Sequence, residues 1–225
     1  MEGLDPQHSP ARAAAADKDN TTLIAVVVSL IGAVAIISAA IGMSMYFRAQ
    51  KAVKHAPKET PLALVFTDIE SSTHLWENHG NNMALAVDIH HEVIRECIEE
   101  NHCYEVKVVG DAFMFAAGSL IDATNCCLSI QRRLMEAKWP ESIKYWKNGE
   151  HDPGLWHGLR VRMGIHLCTE VEPKFDIVHG RYDYYGHDVN VSARVQAVAA
   201  GGQILLTEDT YRQLKEHPEY TELIG

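Results

Sequence analysis

Two aspartates lie where short apolar segments of the sequence end. Asp68 follows the apolar segment Leu62–Thr67, and Asp111 follows Gly110 between two further apolar segments. If the first strand lies beside the hairpin around Gly110, both carboxylates reach one edge of the sheet. Two carboxylates with few other protein ligands suit Mg²⁺, which completes its coordination shell with water and phosphate oxygens. Aspartate also forms turns readily, so the spacing alone leaves a metal site and a structural role open.

A lysine and a second aspartate offer a donor and an acceptor that suit a purine base. Lys107 lies inside the apolar segment Val106–Val109, and Asp183 lies in the aromatic segment Tyr182–Gly186, which predicts a turn. Lysine can donate to a ring nitrogen of adenine while aspartate accepts from its exocyclic amine, and guanine presents the opposite pattern. The alternatives are a lysine that faces water on an edge strand and an aspartate that only forms a turn.

An asparagine and an arginine share one face of a predicted helix. Asn190 and Arg194 are four residues apart within the predicted helix His187–Ala199, which Gly201 and Gly202 follow. An arginine in this position could stabilise the charge on a phosphoryl group during its transfer. A solvated helix face is the alternative.

The elements that must position these side chains alternate between strands and helices. Short apolar segments and longer segments with helical periodicity give the order βαββαβαβα. This order predicts an α/β sandwich, of the α+β kind, with a mixed and mostly antiparallel sheet. The predicted strands are Leu62–Thr67, Tyr104–Val109, Phe113–Ala117, Leu159–His166 and Gln203–Thr207. The remaining predicted helices start at Asn81, Asp122 and Glu208, and Trp139–Trp156 is expected to be a loop.

One segment breaks the globular pattern, because Leu23–Phe47 contains no charged residue. As a helix it would be about 37 Å long, enough to cross a hydrocarbon core of about 30 Å. Lysine and arginine are more frequent after this segment than before it, so the positive-inside rule places the C-terminal side in the cytoplasm. We therefore expect a single-pass membrane protein with four parts. These are a short extracellular or lumenal segment (1–22), a transmembrane helix (23–47), a juxtamembrane linker (48–60) and a cytoplasmic domain (61–225).

The composition excludes several classes of protein. With 47% hydrophobic and 22% charged residues, the chain is too apolar for a disordered segment and too charged for a multi-span membrane protein. Its net charge of −10 argues against a nucleic acid partner, which requires a basic surface. The five cysteines include no CxxC pair, which is typical of reduced cytosolic thiols.

Three segments, in this order, resemble the class III nucleotidyl cyclases. They are residues 66–73 (FTDIESST), 104–114 (YEVKVVGDAFM) and 182–194 (YDYYGHDVNVSAR). The sequence is most similar to the receptor-type adenylate cyclases of kinetoplastid parasites, in which one membrane span precedes a cytoplasmic cyclase domain. The resemblance covers about residues 61–215 and implies a ferredoxin-like, palm-type sheet.

The resemblance implies a two-metal mechanism. Asp68 and Asp111 would bind two Mg²⁺ or Mn²⁺ ions per site, with the backbone carbonyl of Ile69 as an extra ligand. The implied reaction is an in-line attack of the ATP 3′-hydroxyl on the α-phosphorus, which yields 3′,5′-cyclic AMP and pyrophosphate.

The resemblance also implies roles for the remaining residues. Lys107 and Asp183 would select adenine, Asn190 would orient the ribose, and Arg194 would stabilise the α-phosphoryl group. In the family, the metal-binding aspartates come from one subunit of a head-to-tail dimer and the base- and ribose-reading residues come from the other. A homodimer of this chain would therefore carry two complete sites.

The sequence departs from the family in two places. The family has a further β-hairpin after the last helix, with a basic residue for the triphosphate, whereas this chain stops at Gly225. We therefore expect a C-terminally incomplete catalytic domain. In addition, His166 is followed by Leu167-Cys168-Thr169, where the family usually continues Thr-Gly. The alternatives are a non-catalytic cyclase-like dimerisation partner and a truncated fragment of a receptor cyclase; Lys107 and Asp183 oppose a guanylate cyclase.

Overall fold

The computed structural model describes residues 10–144, 146–147, 150–151 and 156–221. Contacts between residues divide the chain into two compact units, with the boundary between Lys51 and Ala52. Helix α1 (Pro10–Ala52) accounts for the described part of the first unit. Its segment Val26–Phe47 has a mean hydropathy of 2.5 and is long and apolar enough to cross a membrane, by length and composition only. The helix extends beyond the predicted span at both ends, into the segments 1–22 and 48–60.

All of the strands in the described residues belong to the second unit. In chain order its elements are β1 (Leu62–Ile69), α2 (Ser72–Glu100), β2 (Tyr104–Val109), β3 (Ala112–Ala117), α3 (Leu120–Glu136), β4 (Trp146–Lys147), β5 (Glu150–His151), β6 (Val161–Cys168), β7 (Glu172–Asp176), β8 (Arg181–Tyr185), α4 (His187–Ala197), β9 (Ile204–Leu206) and α5 (Glu208–Glu216).

Five strands form one sheet in the order β2-β3-β1-β6-β9. The neighbouring strands are antiparallel, except that β6 and β9 are parallel. This arrangement confirms the predicted mixed and mostly antiparallel sheet. It also places β1 at the centre, between the β2–β3 hairpin and β6.

The central strand β1 supplies both faces of the core, because its side chains alternate between the two sides of the sheet. Ala63 and Val65 belong to a buried cluster with apolar residues of α2 and α3. Leu62 and Leu64 belong to a second buried cluster, which includes Tyr184 from β8. The sheet is therefore buried on both sides at β1, and its register is fixed by this alternation.

Helix α4 lies directly against β1 and β6. A side chain at Gly164 of β6 would place its Cβ 2.2 Å from the backbone nitrogen of Gln196, so only glycine permits this approach. The hydroxyl of Ser192, which is fully buried, donates to the carbonyl of Leu64 at 2.9 Å. The helix that carries Asn190 and Arg194 is thus fixed on the sheet.

Two predictions about helix and loop boundaries are wrong. The sequence predicts a helix that starts at Asn81, but α2 starts at Ser72 and continues through a kink at Gly80, whose φ is +24°. That conformation favours glycine, so the helix continues where the sequence suggests a break. The predicted loop Trp139–Trp156 contains the short β4–β5 ribbon. Residues 145, 148–149 and 152–155 of that loop lie outside the described residues.

The sequence also predicts a turn around Asp183, and this prediction is wrong. Asp183 lies inside β8, which pairs antiparallel with β7, and Lys174 is its partner in the register. Tyr184 is buried and Tyr185 is exposed, as expected for successive residues of a strand. Tyrosine favours strands, and the sequence lacks the matching apolar alternation in β7 that would have indicated a hairpin.

Candidate active site

Strand pairing brings Asp68 and Asp111 to the same end of two neighbouring strands. Strands β1 and β3 are antiparallel, with Thr67 opposite Phe113. The backbone N–H of Phe113 also donates to the hydroxyl of Thr67 at 3.3 Å. One step further along the register lie Asp68 on β1 and the β2–β3 turn that contains Asp111. The sequence-based expectation that both aspartates occupy one edge of the sheet is confirmed by this pairing.

The two aspartates have different surroundings. Arg162 lies directly opposite Asp68 on β6. Its Nε donates to Asp68 Oδ2 at 3.0 Å, and its Nη2 contacts the same oxygen. By contrast, Asp111 Oδ2 is buried without a hydrogen-bond partner among the described residues. A buried carboxylate oxygen without a partner, beside a second carboxylate, fits a hard divalent cation such as Mg²⁺ or Mn²⁺.

Ile69 and Arg162 complete this edge of the sheet. Ile69 is the last residue of β1, and its side chain is buried in the core. An isoleucine side chain has no metal-binding atom, so only the backbone carbonyl of Ile69 could act as a ligand. Sequence reasoning missed Arg162. Its only signal is its position opposite Asp68, which is known once β1 and β6 are paired.

Lys107 and Asp183 come together from elements that are distant in sequence. Lys107 Nζ lies 3.0 Å from Oδ1 and 2.8 Å from Oδ2 of Asp183. The side chain of Lys107 is 45% exposed and that of Asp183 is 23% exposed, so both remain accessible to a ligand. The pair lies in a cleft of about 390 Å³. The other residues that line this cleft are Val106, Val108, Asp176, His179, Arg181 and Tyr182.

A tyrosine hydroxyl connects the strands that carry Lys107 and Asp183. Tyr104, on β2, accepts a hydrogen bond from the backbone N–H of Tyr182 at 2.9 Å and donates to the carbonyl of Tyr182 at 3.1 Å. Burial raises the pKa of Tyr104, so its hydroxyl stays protonated and can donate. Tyr104 thus fixes β8 next to β2. Sequence reasoning assigned no role to Tyr104.

A second tyrosine connects β8 to the segment before β1. The sequence analysis assigned no role to Tyr184, but its hydroxyl donates a hydrogen bond to the carbonyl of Pro57 at 2.8 Å. Its backbone N–H donates to Asp183 Oδ1 at 2.8 Å. Burial raises the pKa of Tyr184, which keeps the donor proton in place. The carboxylate of Asp183 is therefore oriented by both its own strand and Lys107.

Asn190 and Arg194 are both exposed on α4. No hydrogen bond or ion pair involves either side chain within the described part of the chain, so both are free to contact a ligand. Asp188, two residues before Asn190, accepts hydrogen bonds from the backbone N–H groups of Thr169 and Glu170 at 2.9 and 2.8 Å. Burial alone would raise the pKa of Asp188, but these two hydrogen bonds, together with His166 and His187, lower it.

The predicted site residues form separate groups within one chain. The first group is the edge with Asp68 and Asp111, and the second is the Lys107–Asp183 pair. Among residues 10–144, 146–147, 150–151 and 156–221, no hydrogen bond or ion pair connects these groups to each other or to Arg194. The structure therefore joins Lys107 to Asp183 by a direct contact and places Asp68 and Asp111 at the same end of the sheet, with no direct contact between the two groups among the described residues.

Comparisons with known proteins identify the family that this chain resembles. Residues 54–223 match the family model of the adenylate and guanylate cyclase catalytic domain. The chain is 42% identical to the receptor-type adenylate cyclase GRESAG 4.3 of Trypanosoma brucei brucei, over 71% of this chain and 15% of that protein. It is also 42% identical to an adenylate cyclase of Lachancea kluyveri, over 72% of this chain and 9% of that protein.

A solved structure of a Trypanosoma brucei adenylate cyclase in its monomeric state has the same fold. The two share 39% sequence identity with a TM-score of 0.66, over 74% of this chain and 82% of that chain. The chain thus spans only a small part of the curated relatives that it matches, but most of the solved catalytic domain.

Proposed function

The chain belongs to the family of adenylate and guanylate cyclase catalytic domains, and from that premise we propose that it converts ATP into 3′,5′-cyclic AMP and pyrophosphate. The observation that carries this proposal is the contact of Lys107 with Asp183. The ammonium and the carboxylate satisfy each other at 2.8 Å. Adenine can replace this contact, because its ring nitrogen accepts from the lysine and its exocyclic amine donates to the aspartate.

Guanine fits the same pair poorly. Its ring N–H and its carbonyl oxygen would meet the ammonium donor and the carboxylate acceptor in the wrong order. A site whose polar groups are left without partners discriminates strongly against the wrong ligand. The pair therefore supports ATP over GTP as the substrate.

Asp68 and Asp111 are the proposed ligands for Mg²⁺ or Mn²⁺, two ions per site, together with the carbonyl of Ile69. Bound ions of this kind lower the pKa of an attacking hydroxyl and neutralise phosphate charge. The orphaned Oδ2 of Asp111 supports this role. Arg162 fixes the orientation of the Asp68 carboxylate and leaves its second oxygen for a cation.

Asn190 and Arg194 are proposed to act on the ribose and the α-phosphoryl group. Asn190 holds the ribose so that its 3′-hydroxyl can attack in line. Arg194 donates to the non-bridging oxygens of the α-phosphoryl group, where negative charge increases in the transition state. Both side chains project from a helix that Ser192 and Asp188 fix on the sheet, which reduces the reorganisation needed for catalysis.

A homodimer with two shared sites accounts for the separation of these groups within one chain. In a head-to-tail pair, the aspartate edge of one subunit would face Lys107, Asp183, Asn190 and Arg194 of the other. Several apolar side chains are strongly exposed and are therefore candidates for such an interface. They include Val109 at 71%, Ile177 and Val178 at 87% each, and Val198 at 77%.

We also propose that helix α1 anchors the chain in a membrane by a single span and that the second unit lies in the cytoplasm. The apolar segment Val26–Phe47 and the basic residues that follow it support this orientation. Nothing in the acidic composition favours a nucleic acid partner.

The central experiment measures cyclic nucleotide formation by the full chain, purified in detergent, with Mn²⁺ and either ATP or GTP. We expect cyclic AMP from ATP and much less product from GTP. A folded, dimeric chain that forms no cyclic AMP would contradict the proposal. If that inactive chain stimulated a catalytically active relative on mixing, it would instead be a non-catalytic dimerisation partner.

A further inference from the structure

Three side chains with metal-binding atoms meet where the end of β6 lies against the first turn of α4. They are His166 and Cys168 at the end of β6, and Asp188 in the first turn of α4. One ligand atom from each residue lies within 4.8 Å of the other two. His166 lies opposite Leu64 on β1, four residues before Asp68. At about 3.3 Å per residue, this cluster is about 13 Å along the strand from the proposed Mg²⁺ edge.

Two of the three side chains are already held in the orientation that a ligand needs. The Nδ1 atom of His166 lies 2.9 Å from the hydroxyl of Thr207, which fixes the ring and turns Nε2 towards Asp188. Asp188 Oδ2 accepts from two backbone N–H groups, which leaves Oδ1 facing the histidine. Partners of this kind orient the ligands in metal sites.

The distance between the histidine and aspartate ligand atoms is that of two ligands around one ion, and the thiol of Cys168 lies within 4.8 Å of both. His166 Nε2 lies 3.7 Å from Asp188 Oδ1, which is too long for a hydrogen bond. In tetrahedral zinc sites, ligand atoms at about 2.0 to 2.3 Å from the ion lie about 3.3 to 3.8 Å from one another. His187 Nδ1 also lies 3.7 Å from Asp188 Oδ1, so it is the nearest donor for a fourth position.

We propose that His166, Cys168 and Asp188 form a binding site for a divalent transition-metal ion of the zinc class, distinct from the Mg²⁺ or Mn²⁺ site. The chemical nature of the ligand atoms determines which metal ions the site prefers. A thiolate and an imidazole favour Zn²⁺ or Co²⁺, whereas Mg²⁺ requires oxygen ligands. Cys168 is completely buried and Asp188 is 8% exposed, so a dication would neutralise the thiolate and the carboxylate in a dry environment.

Metal binding would displace the proton of the Cys168 thiol, which passes to bulk water. Burial and, to a smaller extent, the negative charge of Asp188 raise the pKa of Cys168 to about 12, so the metal-free thiol is protonated at neutral pH. The ion would connect the end of β6 to the first turn of α4. It would therefore stabilise the position of the helix that carries Asn190 and Arg194.

Cobalt is a suitable probe, because a Co²⁺–thiolate bond gives a charge-transfer band in the near ultraviolet that oxygen ligands do not give. The full chain in detergent is titrated with Co²⁺, and then Zn²⁺ is added to displace it. We expect the thiolate band at one equivalent of Co²⁺ per chain. The band should disappear with Zn²⁺ and persist in excess Mg²⁺. A wild-type chain without the band would overturn the proposal.

Three variants show which residues bind the ion. Cys168→Ser should lose the band. Asp188→Asn keeps its volume and an oxygen for the two N–H groups, and should weaken Co²⁺ binding by more than the roughly 10- to 100-fold typical of outer-shell partners. Cys103→Ser is the matched control, because Cys103 is also a buried thiol, next to Cys126. A band that survives in Cys168→Ser, or that is lost in Cys103→Ser, would place the ion elsewhere and refute the site.

A second readout does not depend on the spectrum. Zn²⁺ should raise the melting temperature of the wild-type chain and of Cys103→Ser, but not that of Asp188→Asn. Equal stabilisation of all three chains by Zn²⁺ would contradict the proposed site. Because neither readout uses catalysis, these results are independent of the proposed cyclase activity.

Discussion

Arg162 and Asp68 occupy directly opposed positions on β6 and β1, and the guanidinium Nε donates to the carboxylate at 3.0 Å. Both contacts of Arg162 use Oδ2 of Asp68, so Oδ1 is not engaged by Arg162. A charge-assisted hydrogen bond of this geometry restricts the carboxylate without replacing a cation. Arg162 is therefore a positioning residue for the proposed metal ligand.

The first prediction concerns the two aspartates. Asp68→Asn and Asp111→Asn each remove a ligand charge without changing the volume of the side chain. Metal ions stabilise such transition states by several kcal/mol, so each substitution should lower cyclic AMP formation about 100-fold or more. The measurement is the rate at saturating Mn²⁺–ATP, with circular dichroism to verify the fold. A near-normal rate in either variant would refute the two-metal site.

The aspartate edge was the part of the site that the sequence predicted best. Asp68 and Asp111 both follow apolar strand-length segments, and a β-hairpin connects the second of these to the sheet. Local patterns therefore determine their position almost completely. Arg162 was missed because its relation to Asp68 depends on the register of two strands that are distant in sequence.

The Lys107–Asp183 contact shows where the sequence alone is insufficient. The resemblance to cyclases assigned both residues to adenine, but the local pattern placed Asp183 in a turn. It lies in β8, and Tyr104 holds that strand against β2 through two hydrogen bonds. Such a tertiary contact between distant segments leaves no periodic signal. The helix start expected at Asn81 was wrong for a different reason, because Gly80 adopts a conformation that lets α2 continue through a kink.

The second prediction concerns the choice of base. The double variant with Lys107→Glu and Asp183→Cys inverts the donor and acceptor that face the base. It should use ATP less well and accept GTP, because guanine donates where adenine accepts. The ratio of kcat/KM for ATP to that for GTP, measured on the wild type and the double variant, checks this. An unchanged ratio would mean that these two residues do not read the base.

The third prediction concerns Tyr104 as the residue that positions β8. Tyr104→Phe removes the hydroxyl that hydrogen-bonds to the backbone N–H and carbonyl of Tyr182. These two partly buried backbone groups then lose this hydrogen-bond partner. The free energy of unfolding should fall by about 1 to 3 kcal/mol. KM for ATP should rise more than kcat falls, because the base-reading pair is loosened while the metal edge is intact.

A matched control is available for this substitution. Within the described part of the chain, the exposed hydroxyl of Tyr211 has one hydrogen-bond partner, the hydroxyl of Tyr220 at 3.5 Å. Tyr211→Phe should therefore leave both stability and KM nearly unchanged. If the two phenylalanine variants behaved alike, Tyr104 would have no special role in positioning β8.

The fourth prediction concerns membrane topology. The basic residues after Phe47 predict that residues 61–225 lie on the cytoplasmic side. A protease added to sealed, right-side-out cells should leave this segment intact, and should cleave it after the membrane is permeabilised with detergent. Cleavage in sealed cells would reverse the proposed orientation.

The fifth prediction tests the shared site, and with it the dimer and the chemistry together. Asp68→Ala and Arg194→Ala homodimers should each be inactive, because every site lacks one component. After random exchange of subunits, half of the dimers are hybrids. In each hybrid, one site carries both substitutions and the other carries none. About one quarter of the wild-type activity should therefore return.

The control for this experiment is a mixture in which both substitutions lie on the same side of the interface. Asp68→Ala mixed with Asp111→Ala should recover no activity, because every site in such a hybrid still lacks one aspartate. Subunit exchange is verified by differently tagged chains that purify together.

If the Asp68→Ala and Arg194→Ala mixture recovered no activity despite exchange, both residues would belong to a site within one subunit. If both mixtures recovered activity equally, the return would come from something other than a shared site, such as mutual stabilisation of the variants. Only recovery confined to the first mixture agrees with aspartates and arginine that meet across a two-fold interface.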